Sequence, residues 1–409
     1  MYKTIDGVRV WGDPLENAVE QAVRCSQHGD VVQTLLMADH HKGYSQPVGG
    51  VVVYDGQVSP SGVGYDIACG NKAVRTNVTF EEIRLALPQL LDEIYETLSF
   101  GIGQKNKQPV DHELFSDPDW HVFSEIEPGL TDTLQTLARN QLGTIGSGNH
   151  FVDLFVEEET GILWVANHFG SRGLGHKTAS GFLNLAKNKP FASKVSGESM
   201  EDVPTLFDVA SELGDMYIRA MKLAGKYAYA GRDHCIAKVL AILQAKETFS
   251  VHNHHNFAWK ETHNGKDVYV VRKGATPSAP GQLGFIGGSM GDYSVIVEGI
   301  DSKENKDAFY STVHGAGRLM SRTQAAGRFT GKGKNRRRSG GAISSEQMAA
   351  ALAAFGVELR GGGTDESPFV YKKLDTVLSA HKNTIKIKHR LKPVGVCMAG
   401  ENEFDPYKD

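Results

Sequence analysis

The chain has 409 residues, with 44 Lys and Arg against 48 Asp and Glu for a formal net charge of −4. That length buries a large core and fits two domains or one elaborate one, and the charge excludes a globally basic nucleic-acid binder, so any nucleic acid has to meet a local patch. No apolar run approaches the ~20 residues of a bilayer span. The opening "MYKTIDGVRVWGDPLENA" has no signal-peptide core, and 4 Cys do not make a disulfide scaffold, so the expected setting is the cytoplasm.

Residues 30–80 read as strands and tight turns, in "VVQTLLMADHH", "GGVVVYDGQVSPSGVGYDIACG" and "NKAVRTNV". Helical apolar spacing follows over 81–98, with a proline that kinks or splits the helix, and again over 128–142. The second helix runs into the glycine-rich "GTIGSGNHF", followed by a strand, "ILWVANHF". Residues 201–246 hold the clearest helices, exemplified by "LFDVASELGDMYIRAMKLAGKYAYAG". Strands return in "FSVHNHHNF", "DVYVVRKGA" and "YSVIVEGI". A basic glycine-rich loop near 330–345 precedes a short helix, "SEQMAAALAAFG". No internal repeat or linker divides the chain, and chemically suggestive residues are scattered from 66 to 322. The expectation is one cooperative α+β unit, 1–409, with a site assembled from distant loops.

Cys25, Cys235 and Cys397 sit in apolar or helical contexts and read as core thiols. Cys69, in "GYDIACGNK", lies between glycines and three residues after Asp66, a setting that suits a metal or a reactive thiolate. Four further motifs carry histidine: Asn149-His150 after "GTIGSG", His168 opening "HFGSRG", the cluster His252, His254 and His255 in "HNHHN", and His314 before Gly315-Ala316-Gly317. Singly each is weak, since a histidine is more commonly a surface or hydrogen-bonded core residue. On a strand His252 and His254 share one face and His255 the other, and periodicity does not say which face meets a site. Jointly, imidazole, thiolate and carboxylate suit Mn, Fe, Co or Zn over Mg or Ca. One thiolate bridging two ions roughly 3.5–4 Å apart would clamp a phosphoryl group. Arg172 in "GSRG", Lys273 in "RKGA" and the glycines of "GFIGGSMG" add charge-assisted donors and bare backbone N–H groups for phosphate. "GGSMG" is no Walker loop, and its plainer reading is a tight turn. His314 stands open as metal ligand, general base, nucleophile or turn cap.

The ordered set "GYDIACG", "GTIGSGNHF", "NHFGSRG", "HHNF", "RKGA", "GGSMG" and "HGAGRLMSR" resembles the RtcB-type RNA ligases, from about residue 35 to about 400. The resemblance implies a single α+β domain with central β-sheets flanked by helices and a dinuclear metal cleft. It implies joining of RNA 3′-phosphate or 2′,3′-cyclic phosphate ends to 5′-hydroxyl ends, with GTP and two Mn²⁺ ions, in RNA repair or tRNA splicing. An activating helper protein that turns over the guanylylated state is a candidate partner whose need the sequence does not show; a membrane is not expected. Carried over, Cys69 bridges the ions, Asp66 and His150 complete one site, and His168 and His255 the other. His314 becomes covalently attached to GMP. Asn149, Ser289, Ala316 and Gly317 approach the nucleotide, and Tyr371 in "SPFVYKK" lies against the guanine. Arg172 and Lys273 take phosphate or RNA.

Two positions depart from the family pattern. Asp153 stands where the family reads guanine with a glutamate, and Met398 where a lysine meets the base. Both bear on base selectivity and leave the metals and His314 untouched. The loop "GKGKNRRRSGG" offers Lys332, Lys334, Arg336, Arg337 and Arg338 to RNA phosphates, or is a solvated surface loop. Two rival readings keep the same residues: a dinuclear phosphoesterase with His314 as general base, and a non-catalytic RNA-end or nucleotide-binding protein.

Overall fold

The computed structural model describes residues 1–194, 199–330 and 337–401. Two sheets organise them. The smaller has six strands in the order Lys3–Ile5, Val8–Val10, Val31–His41, Val48–Tyr54, Lys266–Lys273, Asn256–His263. All neighbours are antiparallel except Val8–Val10 beside Val31–His41.

The larger sheet runs Glu247–His254, Gly70–Thr79, Ile162–Phe169, Phe151–Glu157, Ile385–Gly400, Ser294–Gly299, Leu283–Ile286. Glu358–Gly362 adds a parallel strand along the second half of Ile385–Gly400. This sheet curls until its ends meet: the backbone N–H of Phe285, on the last strand, donates to Asn253 Oδ1 on the first at 3.2 Å. Ala73, Phe155, Trp164, Val251, Phe285, Ile296 and Leu391 pack together inside the curl. Period-2 alternation on seven strands thus fills one nearly closed barrel.

Helices cover the outer faces. The long helix Glu212–Ile242 is capped by the Ser211 side chain, which accepts from Gly214 N at 3.1 Å. It therefore starts later than the "LFDVAS" reading, whose Phe207–Asp208 pairs in a two-residue strand with Gln57–Val58. The proline in 81–98 splits that segment: Phe80–Ile83 is closed by a Thr79–Glu82 capping box, and Pro88 stands in the first turn of Leu87–Thr97. Cys25, Cys235 and Cys397 are free thiols in the core. Among the described residues no helix is long and apolar enough to cross a membrane.

The two sheets are joined at places the sequence marked for chemistry. The chain leaves the larger sheet at His254 and enters the smaller at Asn256, so His255 sits at the crossing. Its N–H donates to Cys69 O at 2.8 Å and its carbonyl accepts from Ala275 N at 3.2 Å. Cys69 itself immediately precedes Gly70–Thr79. The seam between the sheets is therefore built from strand ends, where consecutive side chains escape the in–out alternation.

Candidate metal and nucleotide site

Asp66 and Cys69 lie on a tight loop between the short helix Pro60–Val63 and the strand Gly70–Thr79. Cys69 N donates to Asp66 O at 3.1 Å, and Ala68 adopts a left-handed φ of 60°. Gly170 is required beside it, because a Cβ there would stand 2.2 Å from Asp66 Oδ1. His150 and His168 arrive from the adjacent strand ends. The Cys69 Sγ is 3.6 Å from His150 Nε2 and 3.5 Å from His168 Nε2, and His150 Nε2 is 3.0 Å from Asp66 Oδ2. One donor atom each from Cys69, His150 and His168 lies within 4.8 Å of the others.

His168 Nδ1 donates to Asn71 Oδ1 at 2.7 Å, which leaves the Nε2 lone pair facing the sulfur. A ligating histidine is ordinarily oriented by such a partner on its other nitrogen. The His255 ring stacks on His168 at 5.1 Å between centroids and tilts against His314 at 4.8 Å. His150 Nδ1 and His255 Nδ1 are buried without hydrogen-bond partners.

Burial drives these groups toward neutrality. It pushes the His168 and His255 imidazoles well below their usual range, helped by neighbouring ring charges. It pushes the Cys69 thiol well above its usual range, with Asp66 adding to the rise. Asp66 goes the other way: burial raises it, but His150 and Arg172 overcome this and hold it at about 2. A carboxylate, neutral imidazoles and a thiol that a cation would deprotonate form a donor set suited to a transition-series ion. The residues present fit such an ion.

His314 begins a loop after the strand Ser311–Val313. Its ring Nδ1 lies 2.7 Å from Asp39 Oδ2. The same oxygen accepts the backbone N–H of His314 at 2.9 Å and of Gly315 at 3.2 Å. Burial raises the Asp39 carboxyl, but the His314 charge and these donors hold it below its usual range. Asp39 is available because Val31–His41 breaks register with its partner between Leu36 and His41. Gly317 has φ +75°, and a Cβ on it would meet Asp39 O at 2.3 Å. The loop's glycines thus let two backbones touch. Gly315 also bridges to Gly287, seating the "GGSMG" turn against the loop.

A cavity of ≈ 350 Å³ joins these parts. Its walls include Asp66, Cys69, His150, His168, His255 and His314, and also Asn149, Asp153, Lys273, Ser289, Ala316, Gly317, Tyr371 and Met398. Arg172 is the expected site residue that stands apart. With a left-handed φ of 53° it opens the helix Arg172–Ala186 and lines a neighbouring cavity of ≈ 440 Å³. Asp66 and His150 belong to both walls. Lys273 Nζ donates to Tyr44 O. Asp153 and Met398 come from paired strands of the larger sheet, where Phe151 faces Met398 and Asp153 faces Val396. Asp153 Oδ1 is buried without a partner, and burial pushes its carboxyl well above the usual range.

Of the three histidines in "HNHHN", His255 alone lines the cavity, beside Asn256. His252 Nε2 and His254 Nδ1 accept from Arg232 instead, both at 2.9 Å. The arginines after His314 are also engaged. Arg318 pairs with Glu366 at 3.2 Å and donates to Tyr371 Oη at 3.1 Å, and Arg322 pairs with Asp365 at 3.0 Å. Asp39, Asp365 and Glu366 escaped sequence reasoning. Their sole signal was an acidic residue inside a strand-like apolar run for Asp39 and an acidic pair after "GGGT" for the others. Of the basic loop, Lys332, Lys334 and Arg336 lie outside the described residues. Arg338 turns inward, pairing with Asp365 at 3.4 Å and donating to Glu401 O at 3.1 Å.

Comparison with known proteins is consistent along the chain. The family model "tRNA-splicing ligase RtcB" matches residues 21–399. "RNA-splicing ligase RtcB" of Escherichia coli (strain K12) is 31% identical over 96% of this chain and 97% of its own. "tRNA-splicing ligase RtcB" of Thermococcus kodakarensis is 30% identical, covering 93% and 91%. The protein of the same name from Archaeoglobus fulgidus is 31% identical with the same coverage. On the family match and these relatives, the chain belongs to the RtcB ligase family.

Proposed function

We propose that this chain is an RNA ligase that joins RNA 3′-phosphate or 2′,3′-cyclic phosphate ends to 5′-hydroxyl ends through a guanylylated His314, with GTP and two Mn²⁺ ions, in RNA repair or tRNA splicing. The observation that carries the reading is one cavity in which the His314 ring lies against His255, and His255 against His168, beside Cys69, His150 and Asp66. The names of the relatives support the ligase reading.

Asp39 beside Nδ1 orients the His314 ring so that Nε2 carries the lone pair into the cavity. Nε2 attacks the α-phosphorus of GTP, the bond to the β-phosphate oxygen breaks, and pyrophosphate leaves. The GMP then passes to an RNA 3′-phosphate; a cyclic end is first opened by water. The 5′-hydroxyl attacks that activated phosphate, GMP leaves, and a phosphodiester remains. Asp66, Cys69, His150, His168 and His255 would hold the manganese, which would supply charge neutralisation at the phosphoryl oxygens. Asn149, Ser289, Ala316 and Gly317 line the phosphate path, Asp153 and Tyr371 the base end, and Lys273 and Arg172 supply cationic donors.

The test mixes protein, Mn²⁺ and α-labelled GTP and denatures the product. The expected label survives neutral pH, is lost in acid and is absent from His314→Ala. Mn-dependent phosphate release from RNA ends with no covalent label identifies a phosphoesterase and overturns the reading.

A further inference from the structure

Arg232 lies within the helix Glu212–Ile242, is fully buried, and takes no part in the chemistry above. Its guanidinium donates to Ala68 O at 3.0 Å, Phe169 O at 2.7 Å, His252 Nε2 at 2.9 Å and His254 Nδ1 at 2.9 Å. Its own carbonyl accepts from Asn167 Nδ2 at 3.0 Å. Four of these five partners are chain neighbours of candidate metal ligands. Ala68 precedes Cys69, Asn167 and Phe169 flank His168, and His254 precedes His255.

The acceptors are two carbonyls and two imidazoles. Burial, and then the Arg232 charge, push both histidines far below their usual range, so they accept as neutral rings. A buried guanidinium held by neutral acceptors is an unfavourable way to fill core space, which an apolar side chain would fill at no desolvation cost. What an apolar side chain lacks is a rigid planar fork that fixes several acceptors at once.

We propose that Arg232 is a positioning residue for the metal centre. Its fork sets the spacing of three separate segments, so that Cys69, His168 and His255 stand ready before a cation arrives. The proposal rests on the metal reading of the cavity. It assigns Arg232 no contact with metal or substrate. Lysine keeps the charge but offers a single nitrogen that does not span the two carbonyls and two rings.

The experiment titrates the metal-free full chain with Mn²⁺ by electron paramagnetic resonance. A parallel titration with Co²⁺ follows the thiolate-to-metal charge-transfer absorption, and melting of the metal-free protein monitors folding. Arg232→Lys and Arg232→Met are both expected to bind Mn²⁺ about 10–100-fold more weakly than wild type, as loss of an orienting partner does elsewhere. Their Co²⁺ spectrum is expected to change while cooperative melting persists. Wild-type affinity and spectrum in either folded variant overturn the proposal. Should neither fold, His254→Leu removes one acceptor next to His255 and leaves Arg232 in place. Weakened Mn²⁺ binding there supports the proposal, and unchanged binding with an unchanged Co²⁺ spectrum overturns it. A wild-type chain that binds no Mn²⁺ overturns the metal reading and this proposal together; wild-type binding with unaffected variants overturns this proposal alone.

Discussion

Asp39 Oδ2 serves His314 twice: it lies 2.7 Å from the ring Nδ1 and accepts the residue's own backbone N–H at 2.9 Å. One carboxylate therefore holds the loop's backbone and stands beside the ring's Nδ1. Asp39→Asn keeps the shape and removes the charge. Its rate of His314 labelling by α-labelled GTP is expected to fall roughly 10²–10⁴-fold, measured in single-turnover assays. The folded-state value of Asp39 is depressed, so its contribution to stability is present above the ordinary carboxylate range and is lost as pH falls through the folded value. The variant is expected to lack that part of the acid limb of the wild-type stability curve. Labelling at the wild-type rate in Asp39→Asn would sink the orienting role.

Asp153 has the opposite sign. Its folded value is raised by burial, so the neutral carboxyl favours the folded state at low pH, and that contribution fades as pH rises from about 3.9 toward the folded value. Asp153→Asn is expected to stabilise the nucleotide-free protein at pH 8 by about 1–3 kcal/mol, read by denaturant unfolding. The unpartnered Oδ1 is a ready acceptor for the N–H groups of guanine. Those donors favour the ionised form, so wild-type affinity for GTP is expected to rise with pH while affinity for ATP stays flat. The variant is expected to lose about 10–100-fold in GTP affinity and the pH dependence with it. Equal pH profiles for the two nucleotides in calorimetric titrations would remove Asp153 from base recognition.

Metal linkage gives a third expectation. Mn²⁺ at a hundred times its dissociation constant stabilises a one-site protein by about 2.7 kcal/mol, so the melting temperature is expected to rise with added Mn²⁺ and to return on chelation. Cys69→Ala removes the sulfur that faces both His150 and His168 and is expected to abolish most of that rise. A full Mn²⁺-dependent shift in Cys69→Ala would show that the sulfur is not a ligand.

Gly317→Ala tests the close approach of two backbones. The added Cβ meets Asp39 O at 2.3 Å in a left-handed conformation, and the expected cost is about 1–3 kcal/mol. Because the displaced atom belongs to Asp39, labelling of His314 is expected to fall as well. A variant of unchanged stability, by chemical denaturation, would show that the loop yields without strain.

Cys69, His150, His168 and His314 were legible because glycines close to a histidine or cysteine mark tight loops that bring side chains together. Pro88 likewise announced the split helix, since proline fits only a helix's first turn. Other positions were hidden for definite reasons. Alternation along "HNHHN" cannot choose a face, because the chain changes sheets at His255 and the alternation ends there. Asp39, Arg232 and Glu366 carry little or no local signature, because their partners are distant in sequence. The strand Ile385–Gly400 went unassigned because Pro393 and Gly395 interrupt its apolar run. The register shift between Pro393 and Gly395 is how the sheet accommodates them.

That strand has a consequence for biosynthesis. Ile385–Gly400 lies in the interior of the larger sheet, between Phe151–Glu157 and Ser294–Gly299. A polypeptide stopped before residue 385 leaves both of those neighbours as exposed, apolar edges that invite pairing with other chains. The barrel cannot close until that strand has been synthesised. Premature stops and C-terminal truncations should therefore yield aggregates or chaperone clients, not a smaller working enzyme.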